Sequence, residues 1–398
     1  MSSLRQRKTD DGPSSSDGKV SGKGKRSASS SLLFKAIICL VVLITSLIGG
    51  VALVGRLAPT LFLQIPAEAG IPGFVLWFLT GNPLPPYFTD AAWGDDEFKS
   101  WIKPGDLVVA VGMKSGTHWM LYCSHQIRTK GEGDFHDVST STPWPDFVHR
   151  PGQTWAEVKE LMNTTTLKDG TKLKDHWDNP AYPFRIFKSH YTPRTDKGGV
   201  LAVRENADVK FLAMARNGLD AIASLSRFWD SIEDGFRAKW GGFPPLQSDE
   251  ETFTSAMPGG NLYQAHFPYV REWWQFRNEP NVLLLHYADA KKDLLGTVKK
   301  MAAFLDVSLT DTETSKVVEQ CGFKHMKTVE NKMMFTQWGD VDEQHVVKLG
   351  QTIRKGTSGS GKSFVTPEMQ KVWDEALLSE FPDPVMREWA LNGGPLPP

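Results

Sequence analysis

The sequence predicts an α/β fold: a mostly parallel central sheet flanked by helices, a P-loop-like anion-binding loop, and one N-terminal transmembrane helix. Three observations carry that prediction. Short aliphatic runs alternate with helical stretches, polar residues fall just past each run, and Ala36 to Gly55 is a 20-residue stretch without charge.

The charge-free stretch comes first in the chain. Residues 1–31 are rich in Ser, Gly, Lys and Asp with little to bury, and read as a disordered tail. A helix of 20 residues is about 30 Å long, the thickness of a bilayer's hydrocarbon core, so residues 32–55 read as a membrane helix. Basic charge crowds its N-terminal flank, where Lys35 can snorkel, and Arg56 is the one nearby cation on the other side. The positive-inside bias places the tail in the cytosol and the rest of the chain across the membrane, in the lumen of the Golgi or endoplasmic reticulum. A cleaved signal peptide fits less well, because the apolar run exceeds an h-region and Ala67-Glu-Ala69 lies too far beyond it. Asp10, Asp11 and Asp17 disfavour a transit peptide. Residues 56–97, punctuated by Pro59, Pro66, Pro72, Pro83, Pro85 and Pro86, read as a stem whose apolar patch Phe74 to Leu79 is too brief to span. The remaining domain occupies 98–398.

Composition bounds the partners. With 14 Trp and 22 Phe in 398 residues, a large core can be filled. The first 35 residues hold eight Lys/Arg and three Asp, which leaves 37 basic against 43 acidic residues in the remainder. An acidic globular part argues against a nucleic-acid-coating surface. Cys39 lies in the apolar stretch, so Cys123 and Cys321 leave room for one bridge at most and for no Cys-based metal cluster.

Leu107 to Val111 reads as a buried parallel strand that stops at Gly112. Lys114, Ser115, Gly116 and Thr117 follow before a helix begins near Trp119. Such a loop and helix start aim backbone N–H groups at one point, and Lys114 adds a charge there. An ordinary βα turn would look the same in isolation, but the feature recurs. Phe184–Phe187 is followed by Lys188-Ser-His190. Val209–Ala215 is followed by Arg216-Asn-Gly and a helical run from Leu219 to Trp229. Val282–Leu285 is followed by His286-Tyr287 and a helix near Lys291 to Leu305. In parallel sheets ligands sit at the carboxyl ends of the strands, where Lys114, Lys188, His190, Arg216 and Tyr287 all fall. That rim suits a ligand with several negative charges.

Four motifs occur in order: Met113-Lys-Ser-Gly-Thr-His-Trp119, Lys188-Ser-His190, Ala215-Arg-Asn217 with Ser224 eight residues past Arg216, and Arg354-Lys-Gly356. Residues 98 to 375 thereby resemble the cytosolic-type sulfotransferases, which use 3′-phosphoadenosine 5′-phosphosulfate. Trp-Ile-Lys-Pro-Gly-Asp before the first strand, Glu272-Trp-Trp274, Tyr287 and Phe323-Lys-His-Met326 add to the likeness. The resemblance implies that Lys114, Ser115, Gly116 and Thr117 grip the 5′-phosphosulfate, with His118 beside them and Trp119 against the adenine. It implies that Arg216 and Ser224 hold the 3′-phosphate, that Arg354, Lys355 and Gly356 close over it, and that Phe323 stacks on the adenine. It makes His190 the base that takes the acceptor's proton and Lys188 its neighbour.

The chemistry agrees. Sulfuryl transfer, like phosphoryl transfer, needs in-line positioning and charge stabilisation, so Lys114 suits the leaving bridging oxygen and a histidine suits the acceptor's proton. The other reading of His190 is a rim histidine satisfied by a backbone carbonyl. His118 and His125 read as structural or secondary contacts.

Several positions depart from the family. His118 stands where a second threonine is usual, and Cys321 and Gly322 replace hydroxyl residues. The dimer signature is degraded to Lys362-x3-Thr366-Pro367-x3-Lys371, so a homodimer is not implied. Trp144, Phe147 and Trp155 are candidates for an apolar acceptor pocket or for plain packing. Gly356-Thr-Ser-Gly-Ser-Gly-Lys-Ser363 satisfies the Walker A letters of a kinase or triphosphatase. No buried strand precedes it, and Pro367 interrupts a helix soon after, so its glycines read instead as a flap.

The expected function is transfer of a sulfuryl group to a hydroxyl or amine of a small-molecule acceptor, without a metal. A glycan or glycolipid acceptor in the secretory lumen is the alternative. A nucleotide-binding relative without catalysis is the reading from another class.

Overall fold

The computed structural model describes residues 28–57, 88, 101–150, 153–193, 202–240, 242, 244–338, 344–354 and 356–397. Most of the expected tail, nearly all of the stem with its Phe74–Leu79 patch, and Lys355 lie outside the described residues.

The chain divides into two compact units, with the boundary after Leu53. Helix α1, Ala28–Leu57, is longer at both ends than 32–55. Its stretch Phe34–Val54 is long and apolar enough to cross a membrane by length and composition. The side chains of residues 34–50 are exposed, so this apolar surface finds no core among the described residues.

The central sheet holds β1 (Leu107–Ala110), β2 (Ile186–Ser189), β3 (Lys210–Ala215) and β4 (Val282–His286) in the order β2-β1-β3-β4, all parallel. Every residue of β1 is fully buried, which is why it reads as an aliphatic run without alternation. The chain steps from β1 to one neighbour, β2, and then to the other side, β3. That reversal leaves a crevice at the carboxyl end of β1, where the Gly112–Gly116 loop sits.

Two clamps hold the sheet. At the entrance, buried Arg185 pairs with buried Asp106, its Nε donating to Oδ1 at 3.0 Å, while Asp106 Oδ2 also accepts the Lys103 N–H at 2.7 Å. Removing one partner of such a buried pair costs about 3–5 kcal/mol. At the exit, the buried Tyr269 hydroxyl donates to the Ala110 carbonyl oxygen at 2.6 Å.

The helices that build the site are α2 (Thr117–Arg128), α3 (Val138–Ser141), α4 (Trp155–Thr164), α5 (Leu173–Trp177), α6 (Gly218–Trp229), α7 (Phe267–Gln275), α8 (Tyr287–Lys292), α9 (Leu294–Phe304), α10 (Asp311–Cys321), α11 (Phe323–Thr328) and α12 (Pro367–Glu380). Three expectations are corrected. Lys188 lies inside β2, paired with Val109, and not past the strand's end. The helix expected over Lys291–Leu305 is two, because the Asp293 carboxylate accepts the Gly296 N–H at 2.8 Å and caps a fresh start. Pro367 opens α12 as its first residue, behind a Thr366 cap, and interrupts nothing.

Candidate active site

The loop after β1 is shaped by backbone conformations that few residues accept. Lys114 has φ 57 and Gly116 has φ 104. A Cβ at Gly116 would be strained at that φ and would stand 2.7 Å from Met214 Cε, so a side chain here is disfavoured mainly by the backbone. The Gly112 N–H donates to the Met214 carbonyl at 3.2 Å and the Ser115 N–H to the Gly112 carbonyl at 3.0 Å, which fixes the loop's curl. Helix α2 then begins with no side-chain cap and no acidic residue in its first turn. Its leading N–H groups are therefore offered to an external anion.

Cations surround that helix start. Arg216, buried at the end of β3, donates from Nη1 to the Lys114 carbonyl and from Nη2 to the Thr357 carbonyl, both at 3.0 Å. Its guanidinium lies 4.6 Å over the Tyr287 ring. The Lys114 ammonium rests 4.1 Å over the Phe228 ring. Burial, then the charges of Arg354 and Arg216, push its pKa down to about 7. Lys188 is buried with its ammonium 3.4 Å over the Trp144 ring and 4.9 Å over Phe335. Burial holds it well below the usual lysine range; nearby Asp146 opposes that shift and Lys114 adds to it. Asp146 itself accepts from Trp144 Nε1 at 2.9 Å and Ser189 Oγ at 3.1 Å, so it also positions the Trp144 ring.

His190 follows β2 directly, and its Nδ1 is 2.7 Å from the Val111 carbonyl oxygen. A carbonyl only accepts, so Nδ1 carries the proton and Nε2 keeps its lone pair. The backbone-satisfied reading is thus met, and it leaves a lone pair on the ring's other nitrogen. Burial, then the charges of Lys188 and Lys114, lower its pKa to about 3. His118 belongs to the same cluster, held well below its usual range by burial and then by Lys188, Lys114 and His190. His125 does not: its Nδ1 is 2.9 Å from buried Arg128, and it is part of the core.

On the flank facing α10, the Trp119 indole N–H donates to the Cys321 carbonyl at 2.8 Å, and the ring meets Tyr287 edge-on at 5.5 Å. Phe323 opens α11 and is 47 % exposed. A Cβ at Gly356 would fall 2.5 Å from the Phe323 ring, so this glycine lets the late loop lie against it. Ser224 is half-buried on α6, and Arg354 is exposed. Cys123 and Cys321 are both buried and both free.

Within the Walker-like segment, Gly359 and Gly361 do not offer a free phosphate cradle. The Gly359 and Gly361 N–H groups donate to the Asp220 carboxylate at 2.8 and 2.7 Å, so those amides already hold an anion. Ser360–Ser363 form a short 3-10 turn, and the described residues 356–359 leading into it are not a strand. Of the acceptor-pocket candidates, Trp144 lies edge-on 5.0 Å from His190 and Phe147 packs on Trp144 at 5.3 Å, whereas Trp155 packs against Trp101.

Sequence reasoning missed Asp220, Asp146, Phe228, Phe335 and the Thr357 carbonyl. Asp220 alone left a signal, one helical turn after Arg216 on an N-capped helix.

A rim of cations around an uncapped helix start, with an imidazole lone pair beside it, suits a transferase of anionic groups. The sulfotransferase domain profile matches residues 104–384, and the chain belongs to that family. It is an enzyme, a sulfotransferase. Mouse Sulfotransferase 2A6 is 26% identical over 317 residues, covering 79% of this chain and 98% of that one. Human Sulfotransferase 1E1 is 26% identical over 285 residues, covering 72% and 86%. Among solved structures, retinol dehydratase in complex with retinol and PAP aligns with a TM-score of 0.50 at 20% identity, covering 71% of this chain and 82% of that one. Retinol dehydratase with androsterone and inactive cofactor PAP aligns at 0.51 and 20%, covering 75% and 86%. These neighbours share the fold.

Proposed function

We propose that this sulfotransferase moves a sulfuryl group from 3′-phosphoadenosine 5′-phosphosulfate to a hydroxyl or amine of a small, flat, apolar acceptor. The observation that carries the reading is the convergence of Lys114, Lys188, Arg216 and His190 at the carboxyl ends of three neighbouring strands, beside an uncapped helix start. PAP, bound in both retinol dehydratase complexes, is the desulfated form of that donor.

Each residue then has a task. Lys114, Ser115, Gly116, Thr117 and His118 hold the phosphosulfate, and Trp119, Tyr287 and Phe323 flank the adenine. Arg216, Ser224, Arg354, Lys355 and Gly356 hold the 3′-phosphate. The acceptor O–H gives its proton to His190 Nε2 as its oxygen bonds to sulfur in line with the leaving bridging oxygen. The S–O bond to the nucleotide phosphate breaks, and Lys114 neutralises the charge that appears there. The products are a sulfate ester, the 3′,5′-bisphosphate and a protonated His190. Trp144, Phe147 and Phe335 around Lys188 and His190 supply an aromatic wall, which favours a flat acceptor such as the retinol or androsterone of those complexes over a glycan.

Residues 1–31 form a cytosolic tail, 32–55 the membrane anchor, 56–97 a stem, and 98–398 the catalytic domain in the secretory lumen. The length of the apolar stretch Phe34–Val54 and the basic charge on its N-terminal side support this arrangement. Incubation of the protein with labelled sulfate donor and a panel of phenols, sterols, amines and glycans tests the activity. Labelled product from sterol or phenol is expected. Donor binding without transfer to any acceptor would leave a nucleotide-binding protein without catalysis.

A further inference from the structure

We propose that His136, Asp169 and His176 form a site for one divalent transition-metal ion, of which Zn²⁺ fits the donor set best. One nitrogen from each imidazole and one carboxylate oxygen all lie within 4.8 Å of one another. His136 Nε2 stands 3.2 Å from Asp169 Oδ2. Donor atoms bonded to a tetrahedral Zn²⁺ at about 2.0–2.1 Å are roughly 3.3 Å apart, so that edge is already formed.

The other side of the His136 ring shows why this edge asks for a cation. Its Nδ1 is 2.9 Å from Asp137 Oδ2, so Nδ1–H donates there and the Nε2 lone pair faces a second carboxylate. A lone pair and a carboxylate at that distance need a positive centre between them, either a proton or a metal. Asp137 is itself fixed, accepting the Ser139 and Thr140 N–H groups at 2.7 and 2.8 Å as the cap of α3. A carboxylate behind a metal-binding imidazole sets its tautomer and raises its basicity.

His176, on α5, completes the set. The Thr171 hydroxyl lies 2.6 Å from Asp169 Oδ1 and 2.8 Å from His176 Nε2, which holds the carboxylate and the second imidazole side by side. The two imidazole centroids are 4.6 Å apart. Both rings are half-buried and Asp169 is exposed, which gives an ion a path in. Three protein donors leave the fourth position to water.

The site's work is structural. It ties the segment before α3, the turn closed by the Thr166–Lys172 bridge, and α5 to one another. Helix α3 leads to Pro143, whose carbonyl accepts the Lys188 N–H at 2.9 Å, and to Trp144 beneath the Lys188 ammonium. An ion here steadies the wall that carries these residues and takes no part in the transfer step.

The test uses the full chain in detergent, stripped with a chelator and dialysed against ZnSO₄ with metal analysis and thermal unfolding. One Zn²⁺ per chain is expected, with a higher melting temperature that MgCl₂ at the same concentration does not reproduce. His136→Gln, His176→Gln and the exposed Asp169→Asn should each weaken Zn²⁺ binding at least tenfold while melting like the wild type without metal. Absence of stoichiometric Zn²⁺, or wild-type affinity in the His136→Gln/His176→Gln double variant, overturns the proposal. His136 would then be an imidazolium shared by Asp137 and Asp169.

Discussion

The Asp220 carboxylate accepts the Gly361 backbone N–H at 2.7 Å while standing 3.8 Å from the Arg216 guanidinium. One buried anion thus fastens the glycine flap and sits beside the arginine proposed to grip the 3′-phosphate. The same carboxylate accepts the Gly359 N–H at 2.8 Å, and a Cβ at Gly361 would lie 2.9 Å from the Asp220 nitrogen, so the close approach to α6 needs glycine there. Hydrogen bonds to a charged acceptor contribute about 1.5–3 kcal/mol each. Asp220→Asn should therefore raise the KM for donor about tenfold or more and leave kcat at saturating donor nearly unchanged. Steady-state kinetics with varied donor measures the split, and a fall in kcat at constant KM would refute the flap's role.

Lys114 carries a pH prediction. Its pKa in the free protein is lowered to about 7, chiefly by burial and then by Arg354 and Arg216. A polyanion placed against it favours the charged form and raises that pKa. Near pH 8 the free lysine is mostly neutral and the bound one mostly charged, so binding of the 3′,5′-bisphosphate takes up a proton and weakens as pH rises from 7 to 9. Calorimetry in two buffers of different ionisation enthalpy at pH 8 should show that uptake. Lys114→Met should abolish it, and uptake that persists in the variant would move the titration elsewhere.

The fixed tautomer of His190 bears on rate more than on binding. With Nδ1–H held by the Val111 carbonyl, only Nε2 can receive the acceptor's proton. General-base catalysis is worth about a hundred- to ten-thousand-fold. His190→Ala should lower kcat at least a hundred-fold while donor affinity stays within about twofold. Full activity in the variant would pass the role to His118, the other imidazole of the cluster.

Topology has a chemical reporter. Asn163-Thr-Thr165 is the only N-glycosylation sequon in the sequence, and it closes α4 with Asn163 half-buried, its side-chain amide donating to the Lys159 carbonyl at 2.7 Å. A faster-migrating band after enzymatic deglycosylation is expected of the protein from a eukaryotic secretory host. An engineered sequon in the N-terminal tail should stay unmodified, and glycosylation there would reverse the proposed orientation.

What the sequence alone determined was local. The aliphatic run Leu107–Val111 had to be a buried strand, the glycine loop after it an anion site, and Ala36–Gly55 a helix without a core to enter. The order of four motifs identified the reaction because each lies within about ten residues and needs no fold to be read. Tertiary structure decided what those pieces meet. It placed β2 and β3 on opposite sides of β1, which makes the crevice, and set Lys188 within its strand over Trp144. It joined Arg216 to Thr357 across 141 positions. It let Asp220 claim the amides of a segment whose letters spell a phosphate loop, and it gathered His136, Asp169 and His176 from separate turns. The physical reason is range: periodicity and loop chemistry act over one turn or strand. Which carboxylate reaches which amide depends on packing that brings distant segments within about 3 Å.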